Sequence, residues 1–467
     1  MACWQGDAGS TGASSADLAV VPESRVESAS STTAPRTNHT RRRILITTWG
    51  SLGDLHPYVA LALGLQSRGH EAILATGECY RRKIEALGIG FRAVRPDCAW
   101  VADPVVMRRL AHPRWGMIRA VQVPLMSLRE SYEDTLAAAE GTDLLVGNMA
   151  TYATGIVAEK KGLPWVSAMH SPTLFFSAYD PPLIPGFPGF SKRLRFLGPN
   201  FWGPFGRSIN WVARVLARPW HLLRKEIGLP PARGFNPLTE SHSPVLHLAL
   251  FSKWLADKQL DWPAQTIVTG FPWFDADGDA GLPQELIRFL DDGEPPLVFT
   301  LGTAVVADAG PFYHHSAAAA KLLGRRAVLL VKNPRVLLPE LPEGVVAFDY
   351  APFSQLFPRA VAIVHHGGIG TTGQAMRSGR PSLVMPCAWD HPDNAERAAR
   401  LGIARTIARN RYDPRRVSAE LRLLLEDPAY SQRASEIATK VRQEEGVKAA
   451  CDALESLFQI GNPSAKT

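Results

Sequence analysis

Cysteine is scarce and scattered in this chain. Its 467 residues include five, Cys3, Cys79, Cys98, Cys387 and Cys451, an odd number with no C-x-x-C pair. That arrangement supports neither a zinc site nor a disulfide framework, and a reducing, cytoplasmic setting suits it. Long apolar runs are missing too: no window approaches the roughly 18 apolar residues of a membrane span. The Ser-, Thr-, Ala- and Pro-rich start has no sustained apolar stretch, so it does not make a signal peptide. Residues 1–42 read instead as a disordered tail. Excess charge is small, with 51 basic against 44 acidic residues and a formal +7. That is mild support for an anionic ligand or surface and gives no reason to expect nucleic acid.

Acidic residues disappear altogether between Pro181 and Lys225. Lys192, Arg193, Arg195, Arg207, Arg214, Arg218 and Arg224 alternate there with Phe187, Phe190, Phe196, Phe201, Trp202, Phe205, Trp211 and Trp220. Ile209, Val212, Leu216 and Leu223 recur at helical spacing. A basic, aromatic, amphipathic segment of this kind can lie on the inner face of an anionic membrane or cover an apolar ligand. The competing structural reading is a solvated helix whose apolar stripe packs on the core.

What is present is an ordinary globular composition, 46% hydrophobic and 20% charged, long enough for two or three domains. Strand-like runs alternate with helix-compatible stretches: Ile44–Thr47, Ala72–Ala75, Phe91–Val94, Leu144–Val146 and Trp165–Ala168. A Pro-, Gly- and Asp-rich stretch follows. The alternation then restarts at Leu297–Thr300, Ala327–Leu330, Val345–Phe348, Ala362–Val364 and Ser382–Val384. This predicts an α/β chain of two Rossmann-like halves with parallel sheets, residues 43–260 and 285–467, joined by a linker over 261–284. Ligands of such sheets bind beyond the carboxyl ends of the strands, in the cleft. The last helix is expected to cross back to the first half.

The most informative stretch is His365-His366-Gly367-Gly368-Ile369-Gly370-Thr371-Thr372-Gly373, which follows a strand and opens a helix. Backbone amides at such a turn make a phosphate nest. Gly368-x-Gly370-x-x-Gly373 fits a dinucleotide fingerprint, with Asp390 about 20 residues on, so an NAD(P)-dependent oxidoreductase is one reading. The paired histidines favour the other, in which His366 and Thr371 help neutralise a departing diphosphate. Asp390 and His391, just past a strand end, then suit a clamp on sugar hydroxyls, although an N-cap is the plainer role for Asp390. Asp54, after the first strand, faces the cleft as a general base for an acceptor hydroxyl. Its competing role is to cap a helix starting near Pro57.

Gly50-Ser51-Leu52-Gly53-Asp54-Leu55-His56-Pro57, Tyr350-Ala351-Pro352-Phe353 and the run from His365 through Asn394 together resemble the GT-B fold, family 1 type nucleotide-sugar glycosyltransferases. Asp261-Trp262-Pro263 and Thr269-Gly270-Phe271-Pro272 look most like rhamnolipid-forming rhamnosyltransferases. The resemblance implies an inverting, metal-independent hexosyltransferase with no cofactor beyond a UDP- or dTDP-sugar co-substrate. It assigns His366, Gly368, Gly370, Thr371, Gly302 and Thr303 to the donor diphosphate, Pro352 and Phe353 to the nucleobase, and Asp390 to the sugar. Many members have His where Asp54 stands, backed by an Asp where this chain has Asn148, so Asp54 is expected to act alone. His391 stands where glutamine is usual. Asn148, His170, Phe175, Phe176, Tyr179 and Trp202 are expected to line a pocket for an apolar, hydroxylated acceptor. A non-catalytic nucleotide-sugar-binding partner protein is the remaining alternative.

Overall fold

The apolar runs become strands covered on both faces. Ile44, Leu45 and Ile46, like Ala362, Ile363 and Val364, are fully buried, which is what helices on either side of a parallel sheet produce. The computed structural model describes residues 40–460, apart from 185, 233–235, 239–242, 276–280, 335–337 and 339. The expected tail, up to residue 39, and the middle of the expected linker therefore lie outside the described residues. From residue 41 onward the chain forms one compact unit.

The first sheet contains β1 (Arg43–Thr47), β2 (Glu71–Thr76), β3 (Gly90–Ala93), β4 (Leu144–Asn148), β5 (Trp165–Met169), β6 (Leu246–Ala249) and β7 (Thr266–Val268). Its strands are all parallel, in the order β3-β2-β1-β4-β5-β6-β7. The second contains β8 (Leu297–Thr300), β9 (Ala327–Leu330), β10 (Val345–Phe348), β11 (Ala362–His365), β12 (Ser382–Val384) and β13 (Ala404–Thr406). It is also parallel, in the order β10-β9-β8-β11-β12-β13. Strand order reverses between β1 and β4 and between β8 and β11, and each reversal opens a crevice at the strands' carboxyl ends.

Three features differ from expectation. The first sheet runs on through β7, so the connection between halves begins after Val268, not at Asp261. The helix after β1 spans Leu52–Ser67, with Ser51 as N-cap and Pro57 inside it. The Ser51–Asp54 capping box starts the helix before the proline, which puts Asp54 in the first helical turn rather than in a loop. Third, Trp202 belongs to a core. It is fully buried in the helix Gly198–Leu216, packed edge-on against Phe190, Phe201 and Phe205.

Two apolar contacts are prominent among those that hold the halves together. The helix Gly446–Ile460 lays Ala450, Cys451 and Leu454 into the apolar core formed by Ile44, Leu55 and Val59, and Arg68 pairs with Asp452 and Glu455 at 2.6 and 2.7 Å. A second cluster joins Met169, Phe251 and Trp262 of the first half to Ile369, Met376 and Ala395 of the second. Among the described residues no helix is long and apolar enough to cross a membrane.

Candidate active site

The glycine run sits where β11 meets the helix Ile369–Ser378, at the reversal point of the second sheet. Gly367 takes φ +89°, and a Cβ there would meet the His391 backbone oxygen at 3.0 Å. The His366 imidazole is clasped between two glycines. A Cβ on Gly302 (φ +62°) would stand 2.5 Å from its Cε1, and one on Gly368 would collide with its Nε2. Only glycine leaves room for the ring at both positions. Ile369, Gly370 and Thr371 form the first turn, so their amides have no intrahelical acceptor and the helix dipole adds positive potential. Thr371 is buried and Thr303 is exposed.

Three histidines line this nest. His365 Nδ1 accepts from Gly367 N–H at 3.1 Å, His391 Nδ1 from Ala388 N–H at 3.2 Å, and the His366 and His391 rings meet edge-on at 4.7 Å. Burial pulls His365 and His391 down to about 3. Burial, then the neighbouring His391, holds His366 well below its ordinary value. All three are neutral at pH 7. His366 Nδ1 is buried and has no hydrogen-bond partner.

Asp390 stands at the N-cap position of the helix His391–Arg400, yet its side chain makes no cap hydrogen bond. Its Oδ2 accepts from Asn394 Nδ2 at 2.8 Å, and that amide also donates to Gly367 O at 3.0 Å. Asn394 thus fixes the carboxylate and the glycine run together, a role the sequence reading missed. Burial raises Asp390 above its ordinary value. Pro352 is buried, and one face of the Phe353 ring is already stacked on Phe357, 4.4 Å away.

Across the cleft the Asp54 carboxylate has partners on both oxygens. Its Oδ1 lies 3.1 Å from His170 Nε2. Its Oδ2 accepts from the Ser51 N–H and hydroxyl at 2.7 and 2.9 Å. Burial pushes this carboxyl up, but His170 and the Ser51 donors outweigh it and leave it below its ordinary value. Burial pulls His170 down, and the hydrogen bond and charge of Asp54, with the charge of Asp390, leave it raised. His170 therefore belongs to this pair rather than to a passive pocket wall. Asn148 is buried and spans the loop after β1, donating to Thr48 Oγ1 at 3.3 Å and accepting from Ala150 N–H at 2.7 Å.

The expected acceptor pocket is only partly assembled. Phe175 is 2% exposed and stacks on Trp262 at 4.5 Å, so it is core, as Trp202 is. Both are large apolar side chains that pack inward among other aromatics. Phe176 is half-buried against Gly206, and Tyr179 is 51% exposed. The loop carrying these residues is strapped to the second half. Asp393, fully buried, accepts from Leu183 N–H at 2.9 Å, Thr173 Oγ1 at 3.2 Å and Arg397 Nε at 2.7 Å, and Arg397 also pairs with Asp180.

Known proteins resemble this chain in sequence and fold. Residues 44–178 match the glycosyltransferase family 28 N-terminal domain, and residues 318–450 match the erythromycin biosynthesis protein CIII-like C-terminal domain. O-mycaminosyltylonolide 6-deoxyallosyltransferase of Streptomyces fradiae is 34% identical over 427 residues, covering 88% of this chain and 97% of that protein. Glycosyltransferase GtfE of Amycolatopsis orientalis is 31% identical, covering 77% and 85%. Among solved structures, glycosyltransferase VinC in complex with dTDP superposes with a TM-score of 0.66 at 22% identity, covering 90% of this chain and all of that one. The oxidoreductase reading falls with these matches: the chain belongs to the GT-B glycosyltransferases that join a family 28 N-terminal domain to an erythromycin CIII-like C-terminal domain.

Proposed function

We propose that the chain transfers a hexose, with inversion at C1, from a UDP- or dTDP-sugar to a hydroxyl of an apolar natural-product or lipid acceptor. The observation that carries this reading is the convergence of three chemistries. The charges of Asp54 and His170 act on Asp390 across the cleft, and Asp54 acts on His391, whose ring abuts His366 in the nest. A base, a sugar clamp and a diphosphate cradle thus share one site. Gly368, Gly370, Thr371, Gly302, Thr303 and His366 would hold the leaving diphosphate, Pro352 and Phe353 would flank the nucleobase, and Asp390 with His391 would grip the sugar. Amides and neutral imidazoles fixed before the reaction stabilise charge growing on the diphosphate without reorganising. The Asp54 pair supplies the base.

Relatives narrow the substrates. One is named for moving a 6-deoxyallosyl group to O-mycaminosyltylonolide, and VinC and spinosyn rhamnosyltransferase SpnG were solved with dTDP and thymidine diphosphate. These favour a dTDP-deoxyhexose donor and a macrocyclic or similarly apolar acceptor. The test is a donor-by-acceptor screen by mass spectrometry, with anomeric configuration read by NMR. Inverted glycoside is expected; a retained anomer, or no product from a chain that binds dTDP, would sink the reading.

The same acceptor chemistry suits an anionic bilayer as the partner of 181–225. Phe196, Trp211 and Val215 are 81%, 70% and 69% exposed, beside exposed Lys192, Arg193, Arg207, Arg214 and Arg218. Bare aromatics ringed by cations complement acidic headgroups over an apolar interior.

A further inference from the structure

The Asp54–His170 pair poses the question of which member takes the acceptor's proton. Asp54 is spent on both oxygens: Oδ2 holds two donors from Ser51 and Oδ1 holds His170. Hydrogen bonds to a carboxylate favour its ionised form and weaken it as a base. A Cβ on Gly50 would strike the same carboxylate, so a bare glycine backbone packs against Asp54 and the side chain has little freedom to turn.

His170 is placed differently. Its Nε2 faces Asp54, which fixes Nε2 as the N–H donor and leaves a lone pair on Nδ1. Nδ1 is buried and has no hydrogen-bond partner. A buried acceptor without a donor is unfavourable unless a ligand supplies one, and an acceptor hydroxyl is such a ligand. The ring stands at the carboxyl end of β5, edge-on to Tyr58 at 6.4 Å. Tyr58 donates to Ala168 O at 2.8 Å.

We propose that His170 Nδ1 is the proton acceptor and that Asp54 orients the ring and balances the imidazolium. The proposal rests on the transferase reading above. The acceptor oxygen bonds to C1 as the bond from C1 to the diphosphate oxygen breaks. The electron pair leaves on the diphosphate, the hydroxyl proton passes to Nδ1, and solvent later removes it. The division of labour is that of a serine-protease triad, with an acidic partner holding the imidazole.

The titratable groups facing His170 are Asp54 and Tyr58 on the helix after β1 and Asp390 after β12. Burial keeps Tyr58 neutral by raising it well above its ordinary value. The two carboxylates raise His170, so a base at Nδ1 requires kcat/KM to rise with pH through a group above about 6.5. A base at Asp54 puts that limb below about 4. The test uses full-length enzyme with the donor and acceptor found by the screen. In wild type, the limb is expected above 6.5. His170→Gln should lose at least about 100-fold in kcat, with dTDP affinity by calorimetry and acceptor KM nearly unchanged. Asp54→Asn should keep the limb but move it to lower pH, because burial then acts on His170 without its partner. A wild-type limb below 4, or His170→Gln within threefold of wild-type kcat, overturns the inference while leaving the transferase reading intact. Absence of transfer by wild type overturns both.

Discussion

Replacing Arg397 with Met isolates what the strap between the halves is worth. Arg397 and Asp393 are 2% and 0% exposed, and the guanidinium is the only cation paired with that carboxylate among the described residues. Removing one partner of a buried pair costs about 3–5 kcal/mol because the remaining charge stays desolvated. Here Asp393 keeps the Leu183 N–H and the Thr173 hydroxyl, which places the cost near the lower end, at about 3 kcal/mol. The cheapest relief is to lift the 171–184 loop off the helix His391–Arg400 and let water reach the carboxylate. At 1.4 kcal/mol per factor of ten, opening becomes about 100-fold more frequent. Hydrogen exchange at the Leu183 amide reads that opening directly, since its bond is to Asp393. Protection should fall by about two orders of magnitude, and Asp393→Asn in the same chain should restore most of it by removing the charge. Protection within threefold of wild type in Arg397→Met would refute the idea that this buried pair closes the loop.

Two further outcomes are expected. His366→Ala should weaken dTDP binding about 10- to 100-fold by calorimetry, the worth of one hydrogen bond to a charged group, and unchanged affinity would remove His366 from the diphosphate nest. Trp211→Ser with Val215→Ser should abolish co-sedimentation with vesicles of phosphatidylglycerol and phosphatidylcholine while leaving transfer to a soluble acceptor intact. Equal sedimentation of wild type and variant, or none by either, would remove the membrane as partner of this segment.

Much of the architecture was legible because buried parallel strands leave continuous apolar runs, as in Leu297–Thr300 and Ala327–Leu330. β7 and β13 escaped because Thr-Ile-Val and Ala-Arg-Thr are too short to show a period, and β6 because His247 interrupts it. The glycine run's place at a strand–helix turn and Asp390's place at a helix start were readable since those signals are local. The Asp393–Arg397 spacing is visible as i, i+4 on a helix, but Asp180, Thr173 and Leu183 arrive from a distant loop. Aromatic residues gave the least reliable signal. Phe175 and Trp202 carry the same hydrophobicity in a core as in a pocket, and only packing separates the two.

His170 shows why residue type at one motif position underdetermines chemistry. Read along the chain, Asp54 lacks a relay because Asn148 cannot ionise. In space, Asn148 is a brace: its amide joins Thr48 and Ala150, holding the loop that leads into Asp54. The acid and imidazole of a dyad are both present, but the acid follows β1 and the imidazole follows β5. Exchanging them changes which group meets the substrate. An acid behind an imidazole raises it and steadies its charged form. The reverse order would leave a weakly basic, triply hydrogen-bonded carboxylate facing the hydroxyl. The proposed order puts the imidazole at the reacting end, and the pH at which transfer switches on is where the two orders part.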